Sequence, residues 1–154
     1  MANLSISITK SSIYEEVAKT TAYIGGKNLD ANGKSLYDQV FVTDADREML
    51  EGFWNDAIND VSVALESVLA TEKSDSGEEE IFGLRVSSLF KESLVKTLET
   101  TAFSYVVNKI VADWCLVVSR DKAEDYLSKA NALLVKMDAI LYMRKRPTRK
   151  EGRI

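Results

Sequence analysis

A single proline, Pro147, stands in 154 residues, and this scarcity constrains the fold more than any other feature. Proline is the sharpest helix breaker, because its ring removes an N–H and clashes with the preceding turn. With only seven glycines besides, the chain lacks the punctuation of a many-turned sheet protein. The expected fold is mainly α: a helical bundle of three long helices plus a shorter N-terminal one, with small β arm or hairpin elements. A chain of this length suits one core. It divides into an extended N-terminal arm (1–10), a helical bundle domain (11–143) and a C-terminal tail (144–154).

The periodicities place these elements. Leu4, Ile6 and Ile8 alternate with Ser5, Ser7 and Thr9, the period of an extended strand with one apolar edge, and a lone short strand needs a partner. Ser12 and Glu15 have capping-box spacing, and Ile13, Val17, Thr20 or Thr21 and Ile24 form a helical stripe that Gly25-Gly26 would end. Residues 27–42 hold Asn32-Gly33 and suit a loop or hairpin. Thr43 is positioned to cap a second helix, and a stripe from Leu50 through Trp54, Ala57 or Ile58, Val61 and Ala64 or Leu65 to Val68 carries it to about Thr71, or roughly 40 Å. Residues 72–80 (EKSDSGEEE) read as an exposed acidic loop, and Phe82, Leu84 and Val86 alternate as a short strand would. A third helix begins near Ser88 and widens toward its C-terminal half into apolar residues on most sides, which should be the most buried part. Asp121 and Glu124 repeat the capping-box spacing before a fourth stripe from Ala123 to Leu141.

Histidine is absent. That removes Ser-His and Cys-His nucleophile pairs, histidine general bases and His-containing zinc, di-iron or copper sites. The lone Cys115 cannot form an internal disulfide, and residues 1–4 lack the basic and apolar regions of a signal peptide, so an intracellular origin is expected. Residues 102–118 are interrupted by Ser104, Asn108, Lys109 and Asp113, which reads as too polar to span a bilayer.

Several short constellations resemble chemical sites and are explained more simply. Residues 32–35 (NGKS) end like a phosphate-binding loop, but its first glycine would fall at Asn28 and no strand precedes it. The same stretch spaces oxygens as a calcium loop does, yet Gln39 stands where a bidentate glutamate is needed. Asp44, Asp46 and Glu48 suit the positive end of a helix dipole. Asp56 and Asp60 lie one turn apart on what reads as a solvated face. Cys115 reads as a small buried hydrophobe, and Trp54, Trp114, Phe103 and Tyr105 as core or subunit-interface area. The expectation is a non-enzymatic chain with no cofactor and no metal.

Charge is unevenly distributed. Arg144, Lys145, Arg146, Arg149, Lys150 and Arg153 stand against Glu151 alone, so the tail carries +5 and residues 1–143 carry −9 of the formal net −4. A basic arm on an acidic body suits binding, either to phosphate backbones or to the acidic face of a neighbour.

Two stretches carry a family resemblance. Residues 42–61 (VTDADREMLEGFWNDAINDV) and 104–118 (SYVVNKIVADWCLVV) resemble the second and later core helices of the small head-tail connector, or adaptor, proteins of tailed bacteriophages. The likeness covers roughly a quarter of the chain; residues 28–42, the acidic stretch after Thr71 and the long basic fourth helix are extra or unusually large. It implies a structural virion protein made in the host cytoplasm and placed at the head-tail junction. Its partners would be copies of itself in a ring of about 12 closed by head-to-tail contacts, the portal above and tail proteins below. Leu4, Ile6 and Ile8, with Phe82, Leu84 and Val86, would then be candidate strand-addition segments. Residues 144–154 would face DNA phosphates or an acidic portal surface. A different reading is a cytoplasmic helical-bundle regulator or nucleic-acid accessory protein that uses the same tail.

Overall fold

One helix, Val95–Val118, is apolar around most of its circumference, and the other elements are arranged to cover it. The computed structural model describes residues 2–27, 46–70, 74–75 and 78–144. In chain order these form β1 (Ala2–Thr9), α1 (Lys10–Lys27), α2 (Arg47–Ala64), a 3-10 turn (Glu66–Val68), β2 (Ser74–Asp75) and β3 (Glu79–Val86). A second 3-10 turn (Glu92–Leu94), α3 (Val95–Val118) and α4 (Arg120–Leu141) follow. The protein is mainly helical with a small antiparallel sheet. α4 runs along α3, while α1, α2 and β1 also pack on α3.

Leu98, Ala102, Val106 and Ile110 of α3 are fully buried, together with Ile6, Ile8, Ile13 and Val17 from β1 and α1. Ile58 and Val61 of α2, and Ala130 and Met137 of α4, complete the same cluster. By length and composition alone, residues 92–118 are apolar enough to cross a membrane, despite the polar interruptions in the sequence. Half of the most apolar window is buried within this chain. Burial also runs further toward the start of α3 than its composition suggests. Leu98 is covered as fully as Ile110, whereas Leu116 and Val117, beside the turn into α4, are exposed.

The segments read as isolated strands are each other's partners. β1 pairs antiparallel with β3 from Ala2↔Val86 to Thr9↔Glu79, and β2 adds two residues on the far side of β3. Alternation sends Phe82, Leu84 and Val86 inward, opposite the side that carries Ile81 and Arg85. β3 reaches further back than the sequence suggests, because the same period places Glu80 inward, only 5% exposed. Glu79 and Glu80 are thus strand residues and not part of an acidic loop.

Boundaries of all four helices also differ from the sequence reading; α3, expected from near Ser88, begins at Val95 after the second 3-10 turn. α1 starts two residues before Ser12 and runs through Gly25-Gly26 to Lys27, a cost of about 1 kcal/mol per glycine set against the burial of Thr21 and Ile24. Its first turn is not capped by a Ser12–Glu15 box. Glu78 does that work: its carbonyl accepts the Lys10 N–H at 2.7 Å, and its carboxylate accepts the Ser11 N–H at 3.0 Å. The Ser11 hydroxyl and amide hold the Glu78 carboxyl below the usual carboxylate range. α2 stops at Ala64 and tightens into the 3-10 turn, giving about 27 Å of α-helix where about 40 Å was expected. α4 begins at Arg120 with Ser119 as its N-cap, and the Ser119 carbonyl, not an Asp121–Glu124 box, accepts the Lys122 N–H. The loop or hairpin assigned to residues 27–42 starts too early, since Lys27 still belongs to α1; its remaining residues and Thr43 lie outside the described residues.

α1 meets α2 through an aromatic contact. The Tyr14 and Trp54 rings stand edge to face, 6.5 Å apart, and the Lys10 ammonium lies 5.9 and 5.8 Å from their centroids while pairing with Glu51. An Ile110→Ala substitution, at the centre of α3, should lower the unfolding free energy by about 3 kcal/mol through lost burial and a residual cavity. The exposed Lys96→Ala should change it by less than about 0.5 kcal/mol; urea unfolding of both variants measures the contrast.

Candidate assembly surfaces

Two surfaces and one tail stand out. The first is the outer edge of β1. The Gly83 carbonyl, opposite Ser5, accepts from Ala70 on the far side of β3, and the Ser7 N–H donates to Glu99 Oε2 of α3 at 3.0 Å. Both bonds fix the same alternation: the backbone groups of Ser5 and Ser7 point away from β3, along the open side of the sheet. A groove of about 310 Å³ follows this edge, with Thr9 and Ser12 on one wall and Lys96, Glu99 and Phe103 of α3 on the other. An unpaired strand edge invites strand addition, and a charged side chain bonded to it hinders that.

The six residues read as strand-addition contacts are placed by this pairing. Ile6, Ile8, Phe82, Leu84 and Val86 are buried and Leu4 is half-buried, all in the hydrophobic core. What β1 offers a partner is therefore its backbone edge, with Ser5 and Ser7, and not its apolar side chains.

The second surface is a groove of about 520 Å³ across α2, α3 and α4, whose walls include Asp60, Val63, Tyr105, Lys109, Val135 and Asp138. The Tyr105 hydroxyl donates to Asp60 Oδ2 at 2.8 Å. Asp60 is thus half-buried and engaged, whereas Asp56, one turn earlier, is exposed as expected. Burial, reinforced by the Asp60 hydrogen bond, pushes the Tyr105 phenol well above the ordinary tyrosine range. Lys109 donates to Asp113 at 3.2 Å. Burial raises the Asp113 carboxyl and the Lys109 bond opposes it, while Asp56 and Asp60 add to the rise. These carboxylates share one field, and Lys109 is committed to one of them. A smaller cavity of about 210 Å³, which also touches Lys109 and Leu127, continues past Asp113 and Leu116 to the start of α4.

The tail is described only at its first residue. Arg144 Nη1 donates to the Leu141 carbonyl at 2.8 Å and to the Met143 carbonyl at 3.2 Å, a cation at a helix C-terminus, where the dipole favours it. Its backbone bridges to Phe90. Lys145, Arg146, Arg149, Lys150 and Arg153 lie outside the described residues, as do Asp44 and the residues of the phosphate-loop and calcium-loop look-alikes.

Among the described residues no three His, Cys, Asp or Glu side chains are grouped to hold a metal ion. Trp54, Trp114 and Tyr105 are core residues and Phe103 is half-buried. Cys115 is fully buried, and burial pushes its thiol up to about 11. Comparison with known protein families, characterised proteins and solved structures returned no match.

Two outcomes follow. Glu99→Ala should speed hydrogen exchange at the Ser7 amide while Ile6 and Ile8, bonded to β3, stay protected; equal exchange at all three would mean that the edge has another cover. The folded-state pKa values of Cys115 and Tyr105 lie above the ordinary 9.0 and 10.0, so their contribution to stability is whole below those values. It is lost as pH rises through them toward the folded-state values. Urea midpoints should accordingly fall above about pH 9, and Ellman's reagent should reach Cys115 only on unfolding.

Proposed function

We propose that this chain is a non-enzymatic structural virion protein, a head-tail connector or adaptor subunit of a tailed bacteriophage. Copies of it form a ring between the portal and the tail proteins, at the head-tail junction of a particle assembled in the host cytoplasm. In this reading the four helices, with α1 no shorter than α2, act as a bundle that presents its flanks to identical neighbours.

The observation that carries the reading is the groove across α2, α3 and α4, where Val63 and Val135 are each 71% exposed beside a hydrogen-bonded tyrosine. Single exposed aliphatic residues are ordinary, but apolar side chains gathered on a concave surface with a polar rim are characteristic of interaction sites. Leu116 and Val117 add apolar surface at the turn into α4, and Tyr142 and Met143 add it at the other end of that helix. A ring subunit needs two unlike surfaces that meet head to tail, and this chain has an acidic, partly apolar groove and a basic tail. The phage-connector resemblance of residues 42–61 and 104–118 agrees with this and adds the location.

A second reading keeps the fold and changes the partner: a small regulator or nucleic-acid accessory protein. The six cations of residues 144–154 favour it, and without interleaved aromatics their contacts would be to phosphates and insensitive to base sequence.

Particle mass and negative-stain images of the purified protein separate the two. Rings of about ten to thirteen subunits support the connector reading. A monomer or dimer that binds duplex DNA, with affinity falling steeply with salt, supports the accessory reading.

A further inference from the structure

We infer that the groove across α2, α3 and α4 receives the basic tail, residues 145–154, of a neighbouring copy of this chain. The inference rests on the self-assembling reading above and specifies which surfaces meet.

The groove has the chemistry such a tail requires. Its floor and lips are aliphatic, with Val63 on α2 and Leu127, Leu134 and Val135 on α4. Carboxylates stand on both sides: Asp60 on α2 and Asp138 on α4. Lys109, the cation on this wall, is bonded to Asp113 and leaves the surplus negative. Residues 145–154 supply Lys145, Arg146, Arg149, Lys150 and Arg153 against Glu151. Arginine and lysine stems lie well on aliphatic surface while their charged heads reach for carboxylates at its rim. Pro147 favours an extended strand over further helix, the shape a groove between helices accepts.

A neighbour's tail fits better than the chain's own. The groove residues on α4, from Leu127 to Asp138, all precede the helix end at Leu141. Beyond that end Arg144 is held by the Leu141 and Met143 carbonyls and by its bridge to Phe90. The described chain thus ends past the C-terminus of α4, whereas the groove lies beside the turns that precede it. An acidic groove also cannot pair with itself across a two-fold axis without facing like charges. A tail-to-groove contact is heterologous, the kind that closes into a ring.

Two full-length variants test this. The groove variant carries Val135→Lys and Asp138→Lys, both exposed positions that spare the Tyr105–Asp60 bond. The tail variant carries Arg146→Glu, Arg149→Glu and Lys150→Glu. At low salt each variant alone should assemble at least about tenfold more weakly than wild type. An equal mixture should recover assembly with the two variants alternating, since the basic tail of one meets the acidic groove of the other and the reversed tail meets the reversed groove. Circular dichroism confirms that each is folded.

A mixture that stays monomeric overturns the inference. Variants that each form wild-type rings overturn the groove assignment and leave the ring reading standing. Recovered assembly in the mixture, with wild-type chains forming open filaments instead of closed rings, sinks the ring reading and keeps this contact. A tail variant that assembles normally but no longer retains duplex DNA assigns the tail to phosphates and overturns the inference.

Discussion

The structure depends on the need to cover α3. A helix that is apolar on most of its circumference cannot lie on a surface, because each uncovered aliphatic side chain forgoes roughly 1.5–3 kcal/mol of burial. α4 covers it along its length as the second arm of an antiparallel hairpin, and α1, α2 and β1 also pack on it. The same requirement brings the start of the chain to its middle. Ile6 and Ile8 reach the core because β1 lies against α3, and β1 holds its place because β3 satisfies its backbone.

This arrangement explains which parts of the fold were legible in the sequence. Helical stripes are local, so α1, α3 and α4 could be placed from spacing, and the inward alternation of Ile6, Ile8, Phe82, Leu84 and Val86 could be read as strand. The pairing of β1 with β3 could not. It joins residues 70 to 84 positions apart, and nothing in either short segment specifies the other. Glu78 was hidden for the same reason. Its acidic neighbours suggested a solvated loop, whereas its place at the start of α1 is set by the sheet that delivers it there. The capping-box spacings were local coincidences, overridden by a tertiary partner at Ser11 and by the turn geometry at Ser119. Gly25-Gly26 was read as a stop because propensity alone argues so, and burial of Ile24 outweighed it.

The assembly surfaces were legible to a smaller degree. The charge asymmetry between tail and body is a property of composition and needed no structure. The groove needed one, because Asp60, Tyr105 and Asp138 come from three helices and no spacing in the sequence relates them. Val63 and Val135 offered a weak signal: each falls off the buried stripe of its own helix. Apolar residues on the polar side of two amphipathic helices raise the question of whether those sides meet, and only the packing of α2 and α4 on α3 answers it.

The polar groups around the groove also bear on what it can do. Tyr105 is a buried ring whose hydroxyl reaches the surface and donates to Asp60, so it fixes that carboxylate's position without neutralising it. Among the described residues, Lys109 pairs with Asp113. A surface intended for an uncharged partner would gain by losing these acids, since each costs desolvation when covered. A surface intended for cations keeps them, held in place beforehand, so that little side-chain freedom is lost on contact. In the contact proposed above, the groove would be a prepared receptor for positive charge on an apolar base. Residues 145–154 carry the opposite charge, which is the physical ground for the tail-to-groove contact proposed above.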